Sequence, residues 1–381
     1  MQLEVNIPER GLAHVDIDGA RITAVEMLDG VGDGTPLASP GFVDLQVNGF
    51  AGIDFSDGCL EPEAAISVLP HLWRTGVTTF CPTLVTNSYE RLDRNFRVLE
   101  RARQIDVRLA QVVPCYHLEG PYISPNNGAR GAHDVRQVRP PSWDEFCKLQ
   151  EAAGGRIGIL TLAPEHPGAL EFIRRVSGTG VLVAIGHTDA APDEIHRAVD
   201  AGARLSTHFG NGCPALMHRH LSPLWAQLAL DELCVSLICD GFHLPTDLLT
   251  VVLRLKGIDR CVLITDAVRA AGMPPGQFTL GDVAIELLPS GQVVTLDHSM
   301  MAGSALTMNR AVPVFMRLAG ASLEEALQAA TANPARLLGK ALACSHVQAG
   351  QPANLVLFQP DNDCLRVNRV FLQGEEVYRA S

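Results

Sequence analysis

The sequence predicts a (β/α)8 TIM-type barrel together with a small β-sandwich domain that is built from both chain ends. In the middle of the chain, eight short apolar segments alternate with segments of helical periodicity. The apolar segments are continuous rather than alternating, which is typical of parallel strands covered on both faces. The two chain ends show only short β-like segments separated by turns. These three observations favour one large α/β unit with a small β unit attached to it.

The chain ends lack any helical periodicity. Residues 1–38 contain short β-like segments and a glycine-rich turn at 30–34, and residues 347–381 have a similar pattern. Neither end is long enough to bury a good core by itself. We therefore predict that 1–38 and 347–381 form one small β-domain, and that 39–346 form the barrel domain inserted between them.

The middle of the chain supplies the strands and helices of the barrel. The predicted strands are 40–47, 77–81, 109–118, 157–163, 181–186, 204–209, 234–240 and 261–266. The helices predicted between and after them are 61–74, 89–103, 142–153, 169–177, 192–200, 223–231, 247–256, 304–318 and 322–330. An open doubly wound sheet is the alternative fold, but no glycine-rich dinucleotide fingerprint follows the first strand.

Several predicted helices begin with recognisable signals. Ser142 and Ser322 are each followed three residues later by a glutamate, which is the pattern of a capping box. Pro192 and Pro223 fit the first turn of a helix, where a missing backbone N–H removes no hydrogen bond. These signals fix the starts of four helices.

The composition limits the possible partners. The 381-residue chain has 47% hydrophobic residues, enough for a large core, and a net charge of −12. An acidic surface argues against nucleic acid and anionic membranes, whereas one local arginine suffices to bind a small phosphate. We find neither a membrane-spanning apolar run nor a signal-peptide pattern. The ten cysteines show no CxxC spacing, which favours buried thiols in a reducing compartment. We therefore expect a cytoplasmic protein.

Three side chains of metal-binding type lie at the ends of apolar strands. Glu119 follows the third predicted strand, and His187 and His208 lie at the ends of the fifth and sixth. Because the strands of a barrel open their carboxyl ends on one face, these side chains are expected to converge. One glutamate and two histidines with an open fourth position suit one divalent ion, with zinc expected. Alternatively, His187 caps the following helix. Cys213 is a further possible ligand, although a small buried thiol explains it better.

Asp266, at the end of the eighth predicted strand, is the predicted general base. It would accept a proton from a zinc-activated water and pass it to the leaving nitrogen, since an amine anion is a poor leaving group. A helix cap and a direct metal ligand are alternative roles for Asp266. Asp240 and His243 lie at the end of the seventh strand, and His133 lies in the loop after the third.

The first strand argues against a second metal ion. Many two-metal barrels carry His-x-His there, whereas this chain has Gln46 and Asn48. Neutral amides are poor ligands for a second divalent ion, so a single metal is expected. Arg219 is a candidate contact for an anionic group of the substrate, and an ordinary surface charge is an equally good explanation.

With these residues the chain resembles the amidohydrolase superfamily and, within it, the family of N-acetylglucosamine-6-phosphate deacetylases. The likeness covers nearly the whole chain and includes His117-Leu118-Glu119-Gly120-Pro121 and Asp240-Gly241-Phe242-His243. The other similar segments are 40–49, 82–84, 131–133, 161–165, 186–188, 207–208, 265–267 and 302–305. Such an ordered series of segments is specific to a family.

The resemblance implies a role for each of these residues. It implies metal binding by Glu119, His187 and His208, and catalysis by Asp266. The substrate contacts that it implies are His133, Asn211 and His243, and Gly212, next to Asn211, is a further candidate substrate-binding residue. It also implies a homodimer in which an arginine reaches the phosphate bound by the neighbouring subunit, and Arg219 matches that arginine by its spacing from His208.

The loop after His208 departs from the family pattern. The family usually has Thr-His-Leu-Phe-Asn-Ala-Met, whereas this chain has Thr207-His208-Phe209-Gly210-Asn211-Gly212-Cys213-Pro214. We predict metal-dependent deacetylation of an N-acetyl amino sugar, N-acetylglucosamine 6-phosphate foremost, to the amine plus acetate. The alternative is hydrolysis of a different N-acetylated sugar or of a non-sugar amide. A non-catalytic sugar-phosphate sensor ranks lower, because no ligand or base is lost.

Overall fold

The computed structural model describes residues 1–30, 32, 34–339, 346–361 and 363–380. In these residues the strands are β1 (Gln2–Ile7), β2 (Gly11–Asp18), β3 (Arg21–Met27), β4 (Leu37–Pro40), β5 (Phe42–Val47), β6 (Gly49–Phe50), β7 (Ile53–Asp54), β8 (Val77–Val85), β9 (Tyr116–Glu119), β10 (Ile157–Leu162), β11 (Leu182–Ile185), β12 (Ala203–Ser206), β13 (Cys234–Ile238), β14 (Cys261–Ile264), β15 (Gly276–Leu280), β16 (Val283–Leu287), β17 (Val293–Thr295), β18 (Leu355–Pro360), β19 (Leu365–Leu372) and β20 (Glu375–Arg379).

The helices in the same residues are α1 (Pro62–Ser67), α2 (Leu69–Trp73), α3 (Tyr89–Ile105), α4 (Val107–Val112), α5 (Trp143–Ala152), α6 (Ala169–Ser177), α7 (Pro192–Asp200), α8 (Pro223–Ala229), α9 (Thr246–Lys256), α10 (Met308–Ala319), α11 (Leu323–Ala330) and α12 (Ala332–Leu337). Both predicted caps form at the backbone, where Ser142 and Ser322 accept hydrogen bonds from the residue three positions on. Ser322 forms the complete capping box. The carboxylate of Glu145 instead binds Arg139, so the first box is only half formed.

An eight-stranded parallel sheet forms the centre of the molecule. Its strand order is β14-β13-β12-β11-β10-β9-β8-β5, which is the order of the chain. The two outer strands approach each other, because Val47 bridges to Ala267 and the backbone N–H of Asp266 donates to Gln46 O at 3.0 Å. The sheet therefore closes, and the predicted (β/α)8 barrel is confirmed. The doubly wound alternative is wrong, because such a sheet reverses its strand order at a switch point.

A buried aspartate joins the first and last strands of the barrel. Asp44 on β5 accepts the hydroxyl of Thr265 at 2.5 Å and the backbone N–H of the same residue at 3.2 Å. It also accepts the backbone N–H of Gln46 at 3.3 Å. Burial, partly opposed by the bonds from Thr265, raises the pKa of Asp44 to about 7. The side chain of Asp44 thus links the first and last strands at the point where the barrel closes.

The third predicted strand is wrong over its first half. Of the predicted segment 109–118, the first residues belong to helix α4, and only Tyr116–Glu119 form the strand β9. Asp106 caps α4 by accepting the backbone N–H of Arg108, and Leu109 and Val112 are buried on one helical face. Apolar residues three positions apart suit a helix as well as a strand when the segment is short.

A small antiparallel sheet lies between the last barrel strand and α10, where no element was predicted. Strands β15, β16 and β17 pair in sequence order. They cover a separate apolar cluster that contains Val268, Ile285 and Val293. The predicted helix 304–318 begins only at Met308, because Ser304 is buried and donates to Thr265 O at 2.6 Å. This insertion stands beside the mouth of the barrel.

The two chain ends meet in a seven-stranded sheet with the order β20-β19-β18-β4-β1-β2-β3. Its apolar cluster, which includes Val5, Val15, Leu357 and Phe371, is separate from the core of the barrel. The small β unit from both chain ends is therefore confirmed. The domain boundaries, 1–38 with 347–381 against 39–346, stay a prediction.

Burial of the cysteines varies. Cys239 and Cys261 are buried as predicted, whereas Cys59 and Cys147 are exposed, and Cys344 lies outside the described residues. Among the helices of the described chain, we find none with the length and apolar character that crossing a membrane requires.

Candidate active site

A cavity of about 350 Å³ opens at the carboxyl end of the barrel strands. Glu119 is the last residue of β9, and His187, His208 and Asp266 each lie two residues beyond β11, β12 and β14. All four line this cavity, as does His243, which follows β13. Barrel closure therefore brings together side chains from five strands at the face where such folds carry their chemistry.

Three of these residues have left-handed backbone conformations. His187, His208 and Asp266 have φ values of 49°, 31° and 51°, which residues other than glycine seldom adopt. Each costs on the order of 1–3 kcal/mol and persists only where neighbouring contacts impose it. The backbone N–H of His208 donates to Ser236 Oγ at 2.8 Å, and that of Asp266 donates to the first strand. Strain at three strand ends of one cavity marks a functional site.

Glu119, His187 and His208 converge on one point. His208 Nε2 lies 2.9 Å from Glu119 Oε1 and 3.1 Å from His187 Nε2, and His187 Nε2 lies 3.3 Å from the same carboxylate oxygen. Ligand atoms around a tetrahedral zinc ion lie roughly 3.4 Å apart, given bonds of about 2.0–2.2 Å. The three donor atoms therefore need to move only slightly apart to bind one divalent ion.

Hydrogen bonding orients the imidazole ring of His187. Its Nδ1–H donates to Ala129 O at 3.1 Å, which leaves Nε2 directed at Glu119 and His208. The ring fits between two glycines. A Cβ on Gly131 would lie 2.9 Å from Cε1 of the ring, and a Cβ on Gly212 would lie 2.7 Å from Nδ1. Glycine at both positions therefore allows the two loops to hold the imidazole.

The electrostatics of the three donors favour a bound cation. Burial would raise the pKa of Glu119, but hydrogen bonds from His187 and His208 hold that pKa well below its usual range. Burial would lower the pKa of His208, whereas its hydrogen bond to Glu119 raises it. A divalent cation at this point would stabilise the ionised carboxylate in place of these hydrogen bonds.

His133 lies beside the same three donors. Its Nε2 is 3.1 Å from His187 Nε2, and its Nδ1 is 2.9 Å from Thr86 Oγ1. Burial, and then the neighbouring His187, lowers the pKa of His133 to about 3. Glu119, His133 and His187 also form a group whose ligand atoms all lie within 4.8 Å of one another. We favour His208 over His133 as the third ligand, because His208 contacts both other donors directly.

Asp266 accepts hydrogen bonds from two amide side chains, those of Gln46 and Asn48. In the sequence, these two residues argued only against a second metal ion. Its Oδ1 accepts from Gln46 Nε2 at 2.9 Å and from Asn48 Nδ2 at 2.7 Å. Gln46 Nε2 also donates to Glu119 Oε1 at 2.9 Å. Burial, and then the charge of Glu119, raises the pKa of Asp266 to about 6. In the sequence, only the spacing of Gln46 and Asn48 along the first strand indicates that both side chains could reach Asp266.

His243 is oriented by Asp240. Nδ1–H of His243 donates to Asp240 Oδ2 at 2.7 Å, and Asp240 Oδ1 accepts the backbone N–H groups of Phe242 and His243. The pKa of Asp240 is lowered because these bonds outweigh the effect of burial. The arrangement fixes the tautomer of His243 and leaves its Nε2 for a ligand in the cavity.

The remaining predicted residues differ in their placement. Asn211 and Gly212 line the cavity, and Asn211 Nδ2 donates to His208 O at 3.1 Å. Arg219 does not line it, and among the described residues that do, none is a lysine or an arginine. Arg219 lies in an exposed segment with Leu216 and Trp225, whose exposed fractions are 93% and 53%. The described part of a single chain therefore brings no lysine or arginine side chain to this cavity.

A closed barrel with a buried Glu-His-His cluster and an aspartate at the last strand defines a metal-dependent hydrolase of the amidohydrolase class. Residues 37–377 match the model of the amidohydrolase family. The chain is 32% identical to N-acetylglucosamine-6-phosphate deacetylase of Lysinibacillus sphaericus over 317 residues, 82% of this chain and 79% of that protein. It is also 32% identical to N-acetylgalactosamine-6-phosphate deacetylase of Escherichia coli O157:H7 over 339 residues, 89% of this chain and 87% of that protein.

Solved structures agree with these relatives. An N-acetyl-D-glucosamine-6-phosphate deacetylase mutant from Mycobacterium smegmatis, in complex with N-acetyl-D-glucosamine-6-phosphate, superposes with a TM-score of 0.88 at 29% identity, covering 99% of each chain. The N-acetylglucosamine-6-phosphate deacetylase of Thermotoga maritima has a TM-score of 0.87 at 31% identity and covers 100% of each chain. The chain belongs to the amidohydrolase family and, within it, to the N-acetylglucosamine-6-phosphate deacetylases.

Proposed function

We propose that the protein removes the acetyl group of an N-acetylhexosamine 6-phosphate, N-acetylglucosamine 6-phosphate foremost, and releases the amine and acetate. The observation that carries this proposal is the convergence of Glu119, His187, His208 and Asp266 in one cavity. The names of the relatives support the substrate class, and they include both glucosamine and galactosamine derivatives.

Glu119, His187 and His208 would hold one divalent ion, and we propose zinc because two imidazoles and a carboxylate are typical zinc donors. When bound, such an ion activates a water molecule and polarises the amide carbonyl. A second ion is not expected, because Gln46 and Asn48 direct their N–H groups at Asp266. Amide N–H groups cannot bind a cation.

Asp266 would act as base and then as acid. It takes a proton from the attacking water, and it gives that proton to the nitrogen as the C–N bond breaks. The second transfer is needed because the nitrogen would otherwise leave as an amine anion, which is a very poor leaving group. His133, His243, Asn211 and Gly212 line the cavity and would contact the sugar and its acetyl group.

We further propose that the phosphate group is bound by Arg219 from a second copy of the chain in a homodimer. Among the residues that the structure describes, no lysine or arginine lines the cavity, while Arg219 lies in an exposed segment with large apolar side chains. Exposed apolar groups around an arginine are typical of a protein interface. We also propose a cytoplasmic location, because the ten cysteines show no CxxC spacing, which favours free thiols in a reducing compartment.

A substrate panel tests the function. Acetate release is measured with purified, zinc-loaded protein on N-acetylglucosamine 6-phosphate, N-acetylgalactosamine 6-phosphate, the unphosphorylated sugars and N-acetylated amino acids. We expect the highest kcat/KM for a hexosamine 6-phosphate, because the phosphate adds charged hydrogen bonds. Higher kcat/KM for the amino acids would reject the sugar proposal. The described lining residues include no lysine or arginine, which supports one rival substrate, an unphosphorylated amide, and the same panel detects it.

Replacing Arg219 with methionine is expected to raise KM for the phosphorylated sugar about 10- to 100-fold, the range for losing charged hydrogen bonds. KM for the unphosphorylated sugar should not change. The matched control is Arg174→Met, which replaces an exposed arginine on α6 that pairs with Glu171. An equal effect on both sugars would contradict a phosphate contact.

Subunit mixing separates action within a chain from action across the dimer. Arg219→Met chains are mixed with Asp266→Asn chains and assayed at a phosphorylated-sugar concentration well below the wild-type KM, where neither variant alone has much activity. About a quarter of wild-type activity should return, since half of randomly mixed dimers carry one intact site. No regained activity after mixing would place Arg219 at its own chain's cavity.

A further inference from the structure

Gln46 lies between two carboxylates at the base of the cavity. Its Nε2 is 2.9 Å from Glu119 Oε1 and 2.9 Å from Asp266 Oδ1. All three side chains are buried. One amide group thus connects a ligand candidate on β9 with the base candidate beyond β14, and it reaches both from the first strand of the barrel.

The orientation of this amide is fixed by its neighbours. An ionised carboxylate only accepts hydrogen bonds, and an amide NH2 group has two hydrogens to donate. Gln46 can therefore satisfy both carboxylates only with Nε2 directed at them. Because both oxygens contact the same nitrogen, the two negative charges lie close together with a donor between them. Without that donor their repulsion would be unscreened in a buried site.

The side chain of Asn48 also directs its amide NH2 group at Asp266, although this orientation is unfavourable for its own carbonyl oxygen. Its Nδ2 donates to Asp266 Oδ1 at 2.7 Å. Its Oδ1 is buried and has no hydrogen-bond partner among the described residues. A buried acceptor without a partner is unfavourable, so the contact with Asp266 explains why the side chain keeps this orientation.

Two donors on Oδ1 make the oxygens of Asp266 unequal. Oδ1 is engaged by Gln46 and Asn48, while Oδ2 lies toward Gly303, 3.8 Å from the position of a Cβ added there. Gly303 also lines the cavity. Oδ2 is thus the oxygen that can receive a proton from water and return it to nitrogen.

We propose that Gln46 is a positioning residue for deacetylation, which separates the carboxylates of Glu119 and Asp266 and reserves Asp266 Oδ2 for proton transfer. This inference rests on the proposed function. The backbone of Gln46 already closes the barrel by accepting from Asp266 N, whereas the side-chain amide contacts these two carboxylates. The side chain is therefore the part to alter.

The test replaces Gln46 with methionine, which keeps the length of the side chain and removes both donors. We expect kcat to fall about 100-fold, as for a misplaced catalytic group, with KM changed less than about 3-fold. The zinc content should stay at one ion per chain, because Glu119, His187 and His208 are intact. The low-pH limb of kcat/KM should move up by about one pH unit, because losing a hydrogen-bond donor to the ionised carboxylate raises the pKa of Asp266. Glu119, which raises that pKa, and His208 and His243, which lower it, are retained in the variant.

The control is Gln150→Met at the opposite end of the barrel. Gln150 exchanges hydrogen bonds of 2.8 and 3.0 Å with the backbone of Ile157, and its loss should leave kcat and the pH profile unchanged. Asn48→Leu removes a donor to Asp266 alone and serves as a second variant if Gln46→Met does not fold. It should lower kcat and shift the pH limb in the same direction.

Four results decide the inference. A lower kcat with one zinc per chain and a shifted limb supports it. An unchanged kcat overturns it. A loss of zinc that accounts for all of the lost activity also overturns it, because Gln46 would then support only the metal ligands. A wild-type protein that releases no acetate from any sugar rejects the proposed function instead, so the two failures are distinguishable.

Discussion

Asp266→Asn is expected to lower kcat for acetate release by about 1,000-fold, within the usual range for losing a general acid-base group. Asparagine has nearly the same shape, and its Oδ1 can still accept from Gln46 and Asn48, which bind that oxygen in the wild type. The NH2 group then stands where Oδ2 was, and it cannot accept a proton. KM and zinc content should remain close to wild type.

The pH profile gives this prediction a second readout. Asp266 works as a base only when ionised, so activity falls as the pH drops through its pKa. That pKa is raised to about 6, first by burial and then by Glu119, and a bound cation would lower it. The low-pH limb of the wild-type activity profile therefore lies on the acidic side of neutral, and Asp266→Asn should lack this limb. The control is Asp106→Asn, at the N-cap of α4. Undiminished turnover by Asp266→Asn would show that Asp266 is not the general base.

The barrel was predictable because its strands are buried on both faces. Continuous apolar runs separated by amphipathic segments allow few other arrangements, so the strand order follows once the fold is chosen. The prediction was wrong at 109–118, where Leu109 and Val112 fit a helical face and Asp106 caps the helix. It missed β15–β17, whose mixed burial gave no continuous apolar signal.

The site was predictable where a residue's place along a strand determines its place in space. Glu119, His187, His208 and Asp266 needed only strand ends and barrel closure. The contacts of Gln46 with Glu119 and Asp266 cross the barrel from the first strand, and distances of that kind depend on packing that periodicity does not describe. His133 belongs to a loop, so its approach to His187 was not predictable from strand order.

The second large effect concerns the metal. His208→Ala is expected to weaken zinc binding by well over about 100-fold, since even losing an outer partner of a ligand costs 10- to 100-fold. Purified protein should then contain almost no zinc, and activity should fall in the same proportion. Metal analysis and acetate release on the same samples check this. His71→Ala, on the outer helix α2, is the control and should keep one ion per chain.

His133→Ala decides between the two possible ligand groups. Both His208 and His133 approach His187 Nε2 at 3.1 Å, but only His208 also contacts Glu119 Oε1, at 2.9 Å. If Glu119, His187 and His208 hold the ion, His133→Ala keeps its zinc and loses kcat/KM through a missing substrate contact. The opposite pattern, with zinc lost from His133→Ala and retained by His208→Ala, would make His133 the third ligand.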